Sequence, residues 1–319
     1  MRLIFCIALL FSFHSSWAQT DSDSLTHRKF LSLVNANRQQ SYIAIGNGVG
    51  NLEPMLFEAS LSPSYFFSRK TKNWAVLINP QVQMRMLDQA SWPIRTPSFK
   101  MYLNYYHDIK LWQNTFLNNV FYKNALWFLS VAHHSNGQSG IFYNDSTQSV
   151  NTRDGNFSTN FLEAGISSYT ATTITANYFS IKEFKTYAEI HPPSLSSEGL
   201  KSRYGLYRIY GQLSLTGLMK KRKNDHINVW LQRSSFQVKS GWIFGEMDGT
   251  AHVDVRKRLI VEAMYKYYPP WFDEIAFFLR FYRGQDYYNI LYADNPVSAL
   301  TVGITSNIMN FKQAVKYLK

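Results

Sequence analysis

A histidine followed two residues later by a serine, in the run His133-His134-Ser135-Asn136-Gly137, is the part of this 319-residue sequence best equipped for chemistry. A serine hydroxyl is a poor nucleophile until an adjacent base removes its proton. Neighbours at i and i+2 on one face of a strand are close enough for an imidazole nitrogen to reach the hydroxyl oxygen. The base also needs a partner that orients its other nitrogen. Past the loop 136–159, Asn160 offers an amide oxygen that can accept that hydrogen bond without adding charge. Ser-Asn-Gly is equally an ordinary turn sequence, so these residues acquire meaning only from the elements that hold them.

Strand parity supplies those elements. From Trp127 the odd positions read Trp127, Leu129, Val131, His133 and Ser135, and the even ones Phe128, Ser130, Ala132 and His134. His133 and Ser135 therefore share a face with an apolar stripe, which in a membrane barrel meets lipid. Polar groups there are costly unless they pair or lie at the interface. Asn160 continues into Leu162, Ala164 and Ile166 on one face, so a strand pairing antiparallel with 127–135 carries the amide on the same wall. Ser135, His133 and Asn160 form a Ser-His-Asn triad at the end of two adjacent apolar faces.

The same period of two recurs along the chain. From Trp74 the even positions include Val76, Ile78, Val82, Met84 and Met86, and the odd ones Asn79, Gln81, Gln83 and Arg85; Pro80 is an awkward ladder residue. Further strands are expected over Phe99–His107, Tyr207–Leu215, Ala276–Arg280 and Leu300–Ile304. Others are expected near 41–47, 54–68, 173–183, 225–236 and 251–264, with turns at Asn73, Asn114, Lys223-Asn224-Asp225 and Asp248-Gly249. The fold class is all-β, a transmembrane antiparallel β-barrel of about twelve strands; a soluble β-sandwich, which also alternates, is the competing architecture.

The bulk composition agrees with a barrel. Aromatic residues make up 16% of the chain, yet mean hydropathy is −0.25, as when polar lumen residues cancel lipid-facing apolar ones and aromatic girdles mark the interfaces. No segment after residue 18 has 18 consecutive apolar residues, which argues against a helical membrane protein. Residues 1–18 read as a signal peptide, with Arg2, an apolar core and Ser16-Trp17-Ala18 before a mature start near Gln19. The single cysteine, Cys6, leaves with it, so disulfides, thiolate metal sites and a cysteine nucleophile are excluded from the mature chain. The net charge of +12 suits an anionic lipid surface better than nucleic acid in an exported protein. Residues 19–40 read as a polar N-terminal extension, 41–311 as the barrel and 312–319 as a tail, with no dividing linker.

The triad region resembles the outer-membrane phospholipase A family. That family's signature, His-x-Ser-Asn-Gly-x-Ser, stands here as His133-His134-Ser135-Asn136-Gly137-Gln138-Ser139, followed by Ser158-Thr159-Asn160 for its Ser-x-Asn run. Upstream, Ser91-Trp92-Pro93-Ile94-Arg95 is similar to Ser-Ser-Pro-Phe-Arg, and Phe281-Tyr282-Arg283-Gly284 through Leu300-Thr301-Val302-Gly303-Ile304 is similar to the last two strands. The resemblance spans about residues 75–311 and implies a phospholipase A1/A2 acting on membrane glycerophospholipids, with calcium dependence and activation as a homodimer. It makes Ser135 the nucleophile, His133 the base, Asn160 the orienter and the Gly137 N–H an oxyanion donor. It places calcium on Ser91 of the partner subunit and on the Gln138 carbonyl.

The sequence departs from the family in several places. The interval from nucleophile to asparagine is about twice the family's, so 140–156 holds an insertion. The remaining calcium ligand falls by offset on Asn156, with Asp145 and Asp154 as chemical alternatives. His134 replaces an acidic residue, which leaves a second calcium site without support, and Lys312–Lys319 extend past Phe311, where family barrels stop. The rivals from other classes are a porin or lipid-transport barrel and a catalytically dead barrel; the latter needs a broken triad, and all three members are present.

Overall fold

The computed structural model describes residues 21–69, 73–109, 124–144, 149–175, 178–217, 233–272 and 275–306. The expected signal peptide, the tail 312–319, the turns at Asn114 and 223–225, and Asp145 lie outside the described residues.

Twelve antiparallel strands close into one barrel. They are β1 (Tyr42–Ile45, continued by Val49–Gly50), β2 (Met55–Leu61, continued by Tyr65–Ser68), β3 (Trp74–Leu87), β4 (Ser98–Ile109), β5 (Asn124–Ser135) and β6 (Ser158–Thr175). After them come β7 (Tyr178–Ile190), β8 (Tyr207–Thr216), β9 (Ser234–Phe244), β10 (Leu259–Tyr267), β11 (Ile275–Gly284) and β12 (Val297–Ser306). Each strand pairs with its sequence neighbours, and β1 closes the cylinder on β12 through Tyr42↔Thr305, Ala44↔Gly303 and Val49↔Leu300. Closure removes both free sheet edges, as a lipid environment requires. β1 is interrupted where Gly48 takes φ +64°; a Cβ there would lie 2.3 Å from the Leu300 carbonyl, so only glycine lets the two strands approach.

Alternation sorts the two faces as expected. On β5, Trp127, Leu129 and Val131 face outward, while Phe128, Ser130, Ala132 and His134 are buried in the interior. On β3 the interior row is Asn79, Gln81, Gln83 and Arg85. Two of these side chains pair along the wall, Gln81 donating to Ser60 Oγ at 2.8 Å and Gln83 to the Tyr42 hydroxyl at 3.1 Å. Pro80 fits because β2 breaks opposite it: the register runs Leu61↔Val82 and then Tyr65↔Ile78, so no ladder partner awaits the missing N–H on that side.

Two strand boundaries differ from the sequence expectation. The span 173–183 covers the end of β6 and the start of the antiparallel β7, because the β-favouring run Thr170–Thr175 shows no break before β6 ends at Thr175. The span 225–236 lies outside the described residues up to 232, and its described part enters β9 at Ser234. The span 251–264 starts with a one-turn helix, α2 (Val255–Arg258), because Asp254 caps it by accepting from the Arg256 and Lys257 N–H groups at 2.9 and 3.3 Å.

The N-terminal extension carries a helix. In α1 (Asp21–Ala36), Phe30, Leu31, Leu33 and Val34 are fully buried against inward-facing Ala75, Leu77, Tyr106, Leu126, Phe128, Tyr169, Ala171 and Ile181. Those strand residues lie on β3 to β7 at the end of the barrel opposite the 136–157 loop, so α1 packs against the inner wall there. Just beyond it, Asn37 Nδ2 donates to both Glu183 carboxylate oxygens at 2.9 and 3.0 Å. The surrounding Asp21, Asp23, His27, Arg28 and Lys29 mask the apolar patch in any average over the segment. Phe30→Ala is expected to cost the docked helix about 3 kcal/mol. Limited proteolysis checks this: 21–40 should be clipped faster in the variant while the barrel's heat-modifiable gel mobility persists, and equal clipping rates would contradict the docking.

Candidate active site

β5 and β6 present the triad by register. Ser135 lies opposite Ser158, His133 opposite Asn160 and Val131 opposite Leu162, all on the outer wall. His133 Nδ1 and Asn160 Oδ1 are 3.0 Å apart, a hydrogen bond in which the imidazole donates. That leaves Nε2 as the nitrogen able to accept a proton. Ser135 and His133 are both half-buried on one face, two positions apart. Their side chains are not hydrogen-bonded to each other in this arrangement; contacts of this kind commonly tighten only when substrate is bound.

On the other flank, β4 sets Phe99 opposite Ser135 and Met101 opposite His133. Both side chains are exposed on the lipid face, so the polar pair sits in an apolar frame completed by Val131 and Leu162. The 99–107 alternation placed Phe99 and Met101 on this face, but only register joins them to the triad.

Behind Ser135 the chain turns at Gly137, whose φ of +66° is strained for any other residue and whose Cβ position lies 3.3 Å from the Phe99 ring. Asn136, fully buried, staples the following loop. Its Nδ2 donates to the Gly155 carbonyl at 2.7 Å, and its Oδ1 accepts from the N–H of Phe157 at 3.3 Å and of Gln138 at 3.4 Å. One amide thus fixes Gln138 and both neighbours of Asn156. A backbone bridge between Gly140 and Gly155 ties the loop arms further. In sequence Asn136 was indistinguishable from a turn residue; its three backbone partners lie up to 21 positions away.

Asn156 is exposed, and Gln138 is half-buried. The Asn156 amide oxygen and Gln138 carbonyl accept no hydrogen bond among the described residues, which leaves two neutral hard oxygens open to a ligand. Asp154 lies on the same loop, its carboxylate accepting from Asn151 Nδ2 at 2.6 Å. No group of three or more His, Cys, Asp or Glu side chains that could hold a metal occurs among the described residues. Neutral oxygens supplemented by water suit calcium. Ser91 lies elsewhere, exposed in the β3–β4 loop, and the structure does not bring it to the triad of its own chain. Its φ of 66°, with 43° at Trp92, is an unusual conformation for non-glycine residues.

His134 faces the lumen, its Nε2 2.7 Å from Ser98 Oγ, and is separate from the outer-wall site. A second loop, 191–206, reaches the triad from β7. Burial holds the His191 imidazole below its usual pKa, with Glu189 opposing.

Solved structures of outer membrane phospholipase A share this architecture. Escherichia coli outer membrane phospholipase A superimposes with a TM-score of 0.51 at 13% identity, covering 85% of this chain and 91% of its own. The fold is that of outer membrane phospholipase A. An active-site variant of the same E. coli phospholipase, carrying alanine in place of an asparagine, gives 0.52 at 12% identity, covering 88% and 99%. The Salmonella typhi outer membrane phospholipase dimer with bound calcium gives 0.51 at 13%, covering 85% and 91%. No protein-family model and no curated protein matches the chain. At these identities the likeness to the phospholipase is one of fold. A closed barrel of this kind, with an apolar outer face, is a multi-pass outer-membrane protein.

Proposed function

We propose that the chain is a calcium-dependent phospholipase A that hydrolyses acyl esters of membrane glycerophospholipids. The observation that carries this reading is the His133–Asn160 hydrogen bond on the lipid-facing wall, with Ser135 two residues along the same face. Water-facing polar pairs are commonplace, whereas a base and its orienter aimed at hydrocarbon need a reason to be there. A substrate that is the membrane itself supplies one.

Ser135 Oγ attacks the ester carbonyl carbon while His133 Nε2 takes its proton, and Nδ1–H remains bonded to Asn160 as the imidazolium forms. The Gly137 N–H donates to the oxyanion, held in place by the Asn136 staple. As the tetrahedral intermediate collapses, His133 returns the proton to the departing lysophospholipid oxygen. Water, deprotonated by the same imidazole, then releases the fatty acid from Ser135. The Gln138 carbonyl, Asn156 and the partner subunit's Ser91 would hold calcium, which when bound supplies positive charge beside the oxyanion. A homodimer would bring in that Ser91 and cover the acyl chains lying on Phe99 and Met101.

Long-chain phosphatidylcholine in mixed micelles tests the proposal. With calcium, fatty acid is released and a fluorophosphonate labels Ser135; excess EGTA lowers the rate by about 10²-fold, the scale of losing one oxyanion stabiliser. Unchanged activity in EGTA removes the calcium clause alone. The porin alternative requires an open lumen, and liposome swelling by the intact chain together with an unlabelled Ser135 would establish it instead.

A further inference from the structure

Asn160 is held from two directions. Its Oδ1 faces His133 Nδ1 at 3.0 Å, and its Nδ2 donates to the backbone carbonyl of Leu195 at 3.5 Å. A carbonyl can only accept, so Leu195 determines which end of the amide meets His133. With the amide reversed, an NH₂ group would face Nδ1 and the ring would carry its proton on Nε2. That is the nitrogen which must be vacant to take the proton of Ser135, and a triad histidine in the wrong tautomer is no longer a base.

Leu195 is placed by a dense clamp. It ends the single 3₁₀ turn Pro193–Leu195, closed by its N–H on the Pro192 carbonyl at 2.9 Å. The two residues after it grip the two residues before Asn160. Ser197 N–H donates to the Ser158 carbonyl at 2.8 Å, and Ser158 N–H donates to Ser197 Oγ at 2.8 Å. Thr159 Oγ1 meets Ser196 Oγ at 2.8 Å and His191 Nδ1 at 3.0 Å, and Ser196 Oγ reaches back to the Pro192 carbonyl at 3.0 Å. Residues 158–160 and 195–197 are therefore locked as two short facing segments, with a bridge between Thr159 and Ser196.

We infer that the 191–197 loop is a positioning element for hydrolysis, fixing the Asn160 amide through the Leu195 carbonyl and so keeping His133 in its Nδ1–H tautomer. This rests on the phospholipase reading. Ser196 and Ser197 touch neither substrate nor Ser135; they act through Leu195 and Asn160.

The tautomer is read directly from ¹⁵N shifts of histidine-labelled protein in micelles, for the wild type and for Ser135→Ala. Both should show His133 protonated on Nδ1 alone. The Ser196→Ala/Ser197→Ala double variant should show mixed tautomers, kcat about tenfold lower and KM unchanged, whereas Ser197→Thr, which keeps the hydroxyl, should retain wild-type values. An Nε2–H tautomer in the wild type overturns the inference even if the double variant fails to fold. So does a folded double variant with unchanged tautomer and kcat. Because the shift is measured in the inactive Ser135→Ala protein as well, a failed phospholipase reading shows separately, as absent lipid hydrolysis with the Nδ1–H signature intact.

Discussion

Ser135→Ala should lower phospholipid turnover by at least about 10⁴-fold, whereas Asn160→Ala should lower it by only about 10². The asymmetry follows from what each group supplies. In the proposed mechanism the hydroxyl is the bond-forming atom, and nothing in the apolar frame of Phe99, Met101, Val131 and Leu162 replaces it. In that mechanism Asn160 contributes orientation and tautomer choice through one 3.0 Å hydrogen bond and carries no charge to stabilise the imidazolium. Losing an ionised orienter elsewhere costs about 10⁴, so a neutral one should cost less. Groups that act as a unit are also not additive, and Ser135→Ala/His133→Ala should be no slower than Ser135→Ala alone. Initial rates on mixed micelles measure all three, with heat-modifiable mobility confirming folded barrels. A Ser135→Ala protein that hydrolyses ester at the wild-type rate would end the assignment, and equal losses for Ser135 and Asn160 would show that Asn160 does more than orient.

Why so much of this arrangement could be read from the sequence is itself physical. A barrel wall has only two faces, and a strand alternates between them, so the parity of Trp127 to Ser135 alone assigns His133 and Ser135 to lipid and His134 to the lumen. Asn160 was reachable for the same reason, since its own strand alternates and neighbours pair antiparallel. What parity cannot carry is any contact made by a loop. The Asn136 staple, the Leu195 carbonyl and the Ser196–Ser197 clamp involve turn-type residues whose partners lie tens of positions away and leave no periodic trace. α1 was hidden differently: four apolar side chains within five residues sit among charges, and a helix that packs against the inner wall needs only a short apolar patch rather than a long stripe. Pro80 shows the converse. The residue most hostile to a ladder sits where the adjacent strand is broken, a compensation visible only once β2 and β3 are in register.

A large loss of barrel stability should come from the rim of the lumen, at Arg85. Its Nε donates to Glu58 at 2.7 Å while Nη1 and Nη2 fork onto the two Asp286 oxygens at 2.9 and 3.2 Å, and the guanidinium lies 4.4 Å from the Tyr288 ring centroid. Asp286 and Tyr288 belong to the β11–β12 loop, and the Tyr288 hydroxyl reaches the Thr96 carbonyl at 3.0 Å in the loop that carries Ser91. One cation thus joins two strands and both loops. Arg85→Met preserves bulk but strips the charge, leaving Glu58 to share Arg280, 3.4 Å away, and leaving Asp286 without its fork. Removing one partner from a buried pair costs 3–5 kcal/mol, and the remaining Arg280 places this variant near about 3 kcal/mol. The defect should depend on pH. Burial pushes the Asp286 carboxyl above its ordinary pKa, with Arg85 opposing, so in Arg85→Met it rises further. A carboxyl whose folded pKa exceeds its unfolded one favours the folded state when protonated, and that advantage is lost as pH rises through the folded value. Urea-unfolding midpoints of the variant should therefore fall further below wild type at pH 8 than at pH 5. A deficit that is the same at both would mean that the lost contacts act by packing rather than by charge.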